Sequence, residues 1–169
     1  MSYQGVHFAI TDQDLSALRS LPVEADRVDY VSNVIEKAWD DNFATQSDKA
    51  WALIHSALQM SNPCSDDLEK AIDAPASWAI LGAEDLALTT DAMVVHVDKS
   101  RVGDVARYLE GVSASEIRSR LCRLIEKHQC DRLSPEEADY AAEWYPGIAE
   151  LYARAASAGR HVIFSADLV

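Results

Sequence analysis

Apolar residues recur at helical spacing over most of this chain and alternate at strand spacing in a few short runs. The most apolar stretch runs from Asp48 to Met60. Trp51, Ile54, His55 and Leu58 fall at i, i+3, i+4 and i+7, and Leu53, Ala57 and Met60 widen the stripe around most of the circumference. A helix apolar on so many sides is enclosed on several of them, so the spacing predicts a central core helix. Ser47 and Asp48 supply a cap and a negative charge at its start, and Ser61-Asn62-Pro63 a stop.

Before that helix, Gly5–Ile10 alternates as a first strand, with Val6, Phe8 and Ile10 on one face. Thr11 caps a short helix to about Leu21 with Leu15 and Leu18 inward. Pro22 separates it from a second helix over roughly Glu24–Asp40, striped by Val28, Val31, Ile35, Ala38 and Trp39. A short polar link then leads to the Trp51 helix. Residues 61–77 read as loop, and Trp78–Gly82 as a buried strand or a core-crossing loop. Ala92–Val97 reads as a strand. In the second half, Ser100 opens a helix that Gly111 ends in a left-handed conformation. Ser113–Glu116 and Ser134–Glu137 have capping-box spacing, the latter with Pro135 at the first helical position. Pro146-Gly147 breaks or kinks that last helix, and its stripe (Ile148, Leu151, Tyr152, Ala155) continues to Gly159. His161–Phe164 closes the chain as a strand. The expectation is a single α+β domain over residues 1–169, a small mixed sheet of three to four short strands covered by about six helices.

Composition narrows the class. At 169 residues, 49% hydrophobic and 25% charged, the chain can bury a sizeable core. It shows neither a membrane-spanning run nor a signal peptide, so the expected location is the cytoplasm. The net charge is −13. Residues 1–100 hold 17 acids and 6 bases, a net of −11, against 11 and 9, a net of −2, in the remainder. Such a surface repels phosphate backbones and anionic lipid, so neither nucleic acid nor membrane is an expected partner, whereas a basic protein is. Simple solubility is the other reading of that charge.

Candidate chemistry is sparse. No phosphate-cradling glycine loop, nucleophile elbow or zinc-protease motif occurs. Cys64, Cys122 and Cys130 contain no CxxC pair and read as small buried residues. Cys122 and His128 are six residues apart and face different directions on a helix, so no zinc site is assigned there and no metal or cofactor elsewhere. His7, His96 and His161 fall in strands and His55 on the core helix. Imidazoles converging near a sheet can bind a metal or act as a general base, but alternation with apolar neighbours also lets these three face solvent. Arg118, Arg120, Arg123 and Lys127 form a basic stripe balanced by Glu116 and Glu126. Trp144-Tyr145, with Tyr140 and Tyr152, forms either a binding surface or a packing corner between helices.

Asp48-Lys49-Ala50-Trp51, with Leu53, Ile54, His55 and Leu58, resembles the DKAWxxLHxLL segment of the YfbM-like family of bacterial proteins of unknown function. Gly5–Thr11, Ile80–Gly82, Val102–Leu109 with Ser113–Leu121, Tyr145-Pro146 and Tyr152–Phe164 are similar to its other segments. Ala83 stands where the family often has a second glycine, and residues 61–77 match none of its segments. The resemblance implies one α+β domain with no established reaction, so it carries no catalytic residue over.

Three functions are compatible with these residues. One is a non-catalytic protein-binding domain, an acidic inhibitor or immunity-type protein, engaging a basic partner through Asp40, Asp41, Asp66 and Asp67, with Trp144 and Tyr145 as aromatic contacts. Another is a small hydrolase or transferase using His55 or His96 with a carboxylate. A self-associating domain with its interface at residues 140–152 is a third.

Overall fold

The central strand of this protein is its last. In the computed structural model, which describes residues 4–60, 74–126 and 133–168, β1 (Gly5–Ile10), β2 (Ala44–Asp48), β3 (Glu84–Leu88), β4 (Ala92–Val97) and β5 (His161–Asp167) form one sheet in the order β2-β1-β5-β4-β3. Every pairing is antiparallel. The helices are α1 (Asp12–Ser20), α2 (Glu24–Tyr30), α3 (Trp51–Gln59), α4 (Pro75–Leu81), α5 (Lys99–Glu110), α6 (Ala114–Glu126) and α7 (Pro135–Ala158). The single α+β domain is thus as expected. The sheet has five strands rather than three or four, is antiparallel rather than mixed, and carries seven α-helices among the described residues rather than about six.

Both faces of the sheet are covered, which is why β1 and β4 are buried along their whole length. Val6, Phe8, Ile10, Val94 and Ile163 point to one face and pack under Leu15, Leu18 and Val31 of the α1–α2 layer. Ala9, Met93, Val95, Val97, Val162 and Phe164 point to the other, against α3–α7. A strand buried on both faces has no polar side, so a polar residue within it needs its own partner.

The edge strands escaped the sequence because they are built as edges. β2 is Ala-Thr-Gln-Ser-Asp and β3 Glu-Asp-Leu-Ala-Leu, and each pairs through an irregular register. Polar, short and bulged strands resist pairing with other chains and carry little hydrophobic alternation. Trp78–Leu81 is helical, not a strand: Pro75 occupies the first position of a helix too short to show its period. The expected helix over Glu24–Asp40 stops at Tyr30 and continues as a π turn (Val31–Ile35) and a 3-10 turn (Glu36–Ala38). Of the expected stripe, Val31 is buried and Ile35 half-buried, while Ala38 and Trp39, past the wider turn, are exposed. Gly111 is right-handed (φ −77°), because α6 follows almost directly. At α3 the cap is Ala50. Ser47 instead hydrogen-bonds the Gly5 carbonyl, and Asp48 accepts from the Tyr140 hydroxyl. Met60, in left-handed conformation, ends α3; the expected stop at residues 61–63 lies outside the described residues.

Six of the nine residues of α3 are buried, as expected of a core helix; the longest helix is α7, buried at seven of its 24. It packs on α3, α5, α6, β1, β2 and β5. Pro146 does not break it. Pro146 is exposed, so the carbonyl it leaves unpaired lies on the water side. At Gly147 a Cβ would come within 2.6 Å of Thr45 Oγ1, so the glycine lets β2 approach. The Ser134 capping box and the left-handed Gly159 bound the helix as expected.

His7 shows how a core histidine is accommodated. It is fully buried beside the Phe164 ring (4.6 Å), and Nε2–H donates to the Ala79 carbonyl at 3.1 Å. Nδ1 has no hydrogen-bond partner among the described residues, consistent with a neutral ring. Burial pulls His7 down to about 4, against the Ala79 hydrogen bond. As pH falls the unfolded chain therefore takes up this proton first. The contribution is complete above the ordinary imidazole range and is lost toward pH 4, on the order of 3 kcal/mol. Urea titrations from neutral pH to about pH 4 should show that decline, and His7→Gln should flatten it. An unchanged slope in the variant would place the loss elsewhere.

Candidate functional site

At the end of the sheet beside α1, two imidazoles meet. His96 is the penultimate residue of β4 and His161 opens β5. The register opposes His96 to Ile163 and His161 to Ile10, so the two histidines are diagonal neighbours on the face covered by α1 and α2. They are 1% and 3% exposed, and His96 Nε2 lies 3.1 Å from His161 Nδ1.

Carboxylates flank both rings. Glu84, at the start of β3, meets His96 Nδ1 at 2.9 Å and is itself held by Arg19 at 2.6 Å. Asp12, in the first turn of α1, meets His161 Nε2 at 2.9 Å and is held by Lys99 Nζ at 2.7 Å. Asp98 caps α5: Oδ1 accepts the Ser100 amide at 2.9 Å, and Oδ2 lies 3.5 Å from His161 Nδ1. The Lys99 amide donates to the same Nδ1 at 3.1 Å.

This network assigns the protons. An amide only donates, so His161 Nδ1 carries a lone pair and Nε2–H donates to Asp12. The Asp12 carboxyl is held below its usual range by the Lys99 ammonium first and by His161 next. Asp98 is held low by its hydrogen bonds from Ser100. Partial burial pulls Glu84 up, but His96 and Arg19 outweigh it and leave it low. An ionised Glu84 can only accept, so His96 Nδ1 carries hydrogen. Burial pulls His96 below the ordinary imidazole value, against the opposing Glu84 hydrogen bond. In its neutral form His96 therefore turns the Nε2 lone pair toward the Nδ1 lone pair of His161. The two nitrogens are 3.1 Å apart, and the Nδ1 pair accepts the Lys99 amide.

His96 and Asp98 also line a cleft of about 360 Å³ with Ala83, Glu84, Ser100 and Arg101, the Arg101 guanidinium lying 4.8 Å over the Trp78 ring. The arrangement offers carboxylate-oriented imidazoles, a carboxylate and a cationic side chain at one opening.

Of the residues singled out in the sequence, His96 belongs to this site. His55 does not: it is buried in α3, with its ring against the Gln59 amide (Nδ1 at 3.2 Å). His96 and His161 do not face solvent, because this face of the sheet is covered too. Asp40 and Asp41 are exposed on the link before β2, where Asp40 accepts from Asn42 and Asp41 from the Trp39 indole. Trp144 is half-buried against Tyr140. Tyr145 is 2% exposed and donates to the Leu109 carbonyl. Asp66, Asp67, Cys64, His128 and Cys130 lie outside the described residues. Asp12, Glu84 and Asp98 were not picked out by the sequence. The only local signal was the His96-Val97-Asp98 spacing at a strand end.

The chain belongs to the family described as a domain of unknown function, DUF1877, whose model matches residues 1–165. Its fold is similar to that of a protein of unknown function, YfbM from Escherichia coli, with a TM-score of 0.66 and 21% identity over 98% of this chain and 99% of that one. At that identity the likeness establishes the fold alone. Comparison with curated proteins finds no match. No described helix is long and apolar enough to cross a membrane.

Gly82 sets the distance between α4 and the site. Its backbone (φ 61°, ψ 178°) is one that side chains rarely adopt, and a Cβ there would lie 2.8 Å from the His96 amide nitrogen. Gly82→Ala should lower stability by roughly 1–3 kcal/mol and shift the His96 ring resonances in NMR spectra. If neither changes, Gly82 does not position His96.

Proposed function

We propose that this protein is a small enzyme of the hydrolase or transferase class whose reaction centre is the His96–His161 pair. The observation that carries the reading is the meeting of two buried imidazoles, each backed by a carboxylate, of which His96 lines a cleft. A carboxylate on the far nitrogen fixes ring orientation and leaves the near nitrogen's electron pair for a ligand, the arrangement that positioned bases and nucleophile activators share. Arg101 in the same wall suits an anionic group on the substrate. The test is a panel of simple carboxylic and phosphoric esters and amides, assayed with the wild type and with His96→Gln. Turnover that falls at least about 100-fold in the variant, with the circular dichroism spectrum retained, supports the reading. Turnover equal in both would remove His96 from the reaction.

A second reading rests on a different surface. Trp39 is 38% exposed and Val34 47% exposed, with Asp40 and Asp41 beside them, an apolar centre rimmed by acids such as interfaces show. This is where a basic protein partner would bind. A basic protein retained from host lysate by the wild type and released by the double variant Asp40→Lys, Asp41→Lys, with a salt-dependent association rate, supports it. Retention by both proteins alike would exclude this face.

A further inference from the structure

We propose that His96 Nε2, His161 Nδ1 and Asp98 Oδ2 form the binding site of a single divalent transition-metal ion of the Zn²⁺ type. The inference rests on the reaction centre described above and gives it a cofactor. The three donor atoms lie within 4.8 Å of one another. Ligand atoms about 2.0–2.2 Å from one ion, at angles of roughly 90–110°, are themselves roughly 3.0–3.5 Å apart. The two imidazole nitrogens are 3.1 Å apart, and Nδ1 and Oδ2 3.5 Å. Both distances are those between neighbouring ligands of one ion.

The surroundings agree. The nitrogens of His96 and His161 that face away from the site donate to Glu84 and Asp12, the outer carboxylates that ligating histidines normally have. Asp98 is fixed by its other oxygen, which caps α5, leaving Oδ2 directed at the pair. Glu84 is paired with Arg19 and Asp12 with Lys99, and Arg101 lines the same cleft as Glu84 and Asp98. A cation between His96 Nε2 and His161 Nδ1, 3.1 Å apart, would bond to both. The interaction it displaces is the Lys99 amide hydrogen bond to Nδ1. Imidazole with carboxylate suits zinc or a neighbouring first-row metal, and three protein ligands leave a fourth position for water or substrate on the cleft side. The alternative occupant of the same gap is a proton on His96 Nε2.

Isothermal titration calorimetry separates the two. The full chain, freed of metal by a chelator and carrying Cys64→Ser, Cys122→Ser and Cys130→Ser to remove thiolate binding, is titrated with Zn²⁺. One equivalent should bind. Asp98→Asn and His161→Gln should each weaken binding at least tenfold. Asp12→Asn, which touches no metal, should weaken it about 10–100-fold through His161. Asp12 and Asp98 are 70% and 46% exposed at their side chains, so both variants should fold, which an unchanged urea midpoint checks. No binding event, or binding unaltered in His161→Gln, overturns the proposal and leaves the proton between the rings. Ester or amide turnover that depends on His96 yet survives chelation also overturns the metal site while sparing the enzymatic reading. Stoichiometric binding lost in these variants, with no turnover across the panel, upholds the metal site and sinks the enzymatic reading.

Discussion

The constraint on which the rest depends is the enclosure of β5. It is the middle strand of five, paired on both edges and covered on both faces. A strand in that position has no route to water for its backbone or side chains, so the chain must supply two layers to cover it. It does so unequally. The small α1–α2 layer lies on one face and five helices on the other. His96 and His161 lie on the more thinly covered face, beside the start of α1. There they are buried enough to require partners and near enough to the surface for Asp12 and Glu84 to reach them from exposed positions.

The thicker layer is locked by polar side chains that close the carbonyl ends of its helices. Helix C-termini leave acceptors unpaired, and inside a core water cannot satisfy them. Tyr152 donates to the Trp78 and Ala79 carbonyls of α4, and Tyr145 to Leu109 at the end of α5. Tyr108 donates to Leu58 and Arg120 to Ala57, both at the end of α3. Burial raises the Tyr145 and Tyr152 hydroxyls far beyond ordinary tyrosine, so they remain donors. Two of the four anchors come from α7, which is why this helix, more than α3, holds the layer together.

The sequence exposed the helices through their stripes and caps: Thr11, Ser134 and Gly159 act where their residue types indicate. It hid β2 and β3, since edge strands carry polar residues that erase the alternation of two. It left open whether Pro146 breaks or kinks its helix, and the helix runs through, because a proline on the solvent side of a long, well-packed helix removes one hydrogen bond that packing outweighs. The site was legible only in part. His96 stood out as an imidazole in an apolar strand, but its partners lie 12 and 65 positions away, and Asp12 and His161 are separated by 149. Nothing in local spacing brings them together; the antiparallel register does. Asp98 reads locally as a helix cap, and it is one, which concealed that its second oxygen is turned elsewhere.

His7 provides the internal comparison that separates structure from chemistry. It too is a buried strand histidine, yet the fold gives it one carbonyl partner, none for Nδ1 among the described residues, and surrounds it with aromatic rings. A core needs nothing more from an imidazole. At His96 and His161 the chain gathers two imidazoles, three carboxylates, an ammonium and a guanidinium from α1, β3, β4, α5 and β5, and turns electron-pair donors toward each other. Apolar residues at both positions would complete the margin of the core with no desolvated polar groups to accommodate, and replacing a buried ion network with them is often neutral or stabilising. An arrangement that packing alone does not require, opening on a cleft, is the kind retained for what it binds.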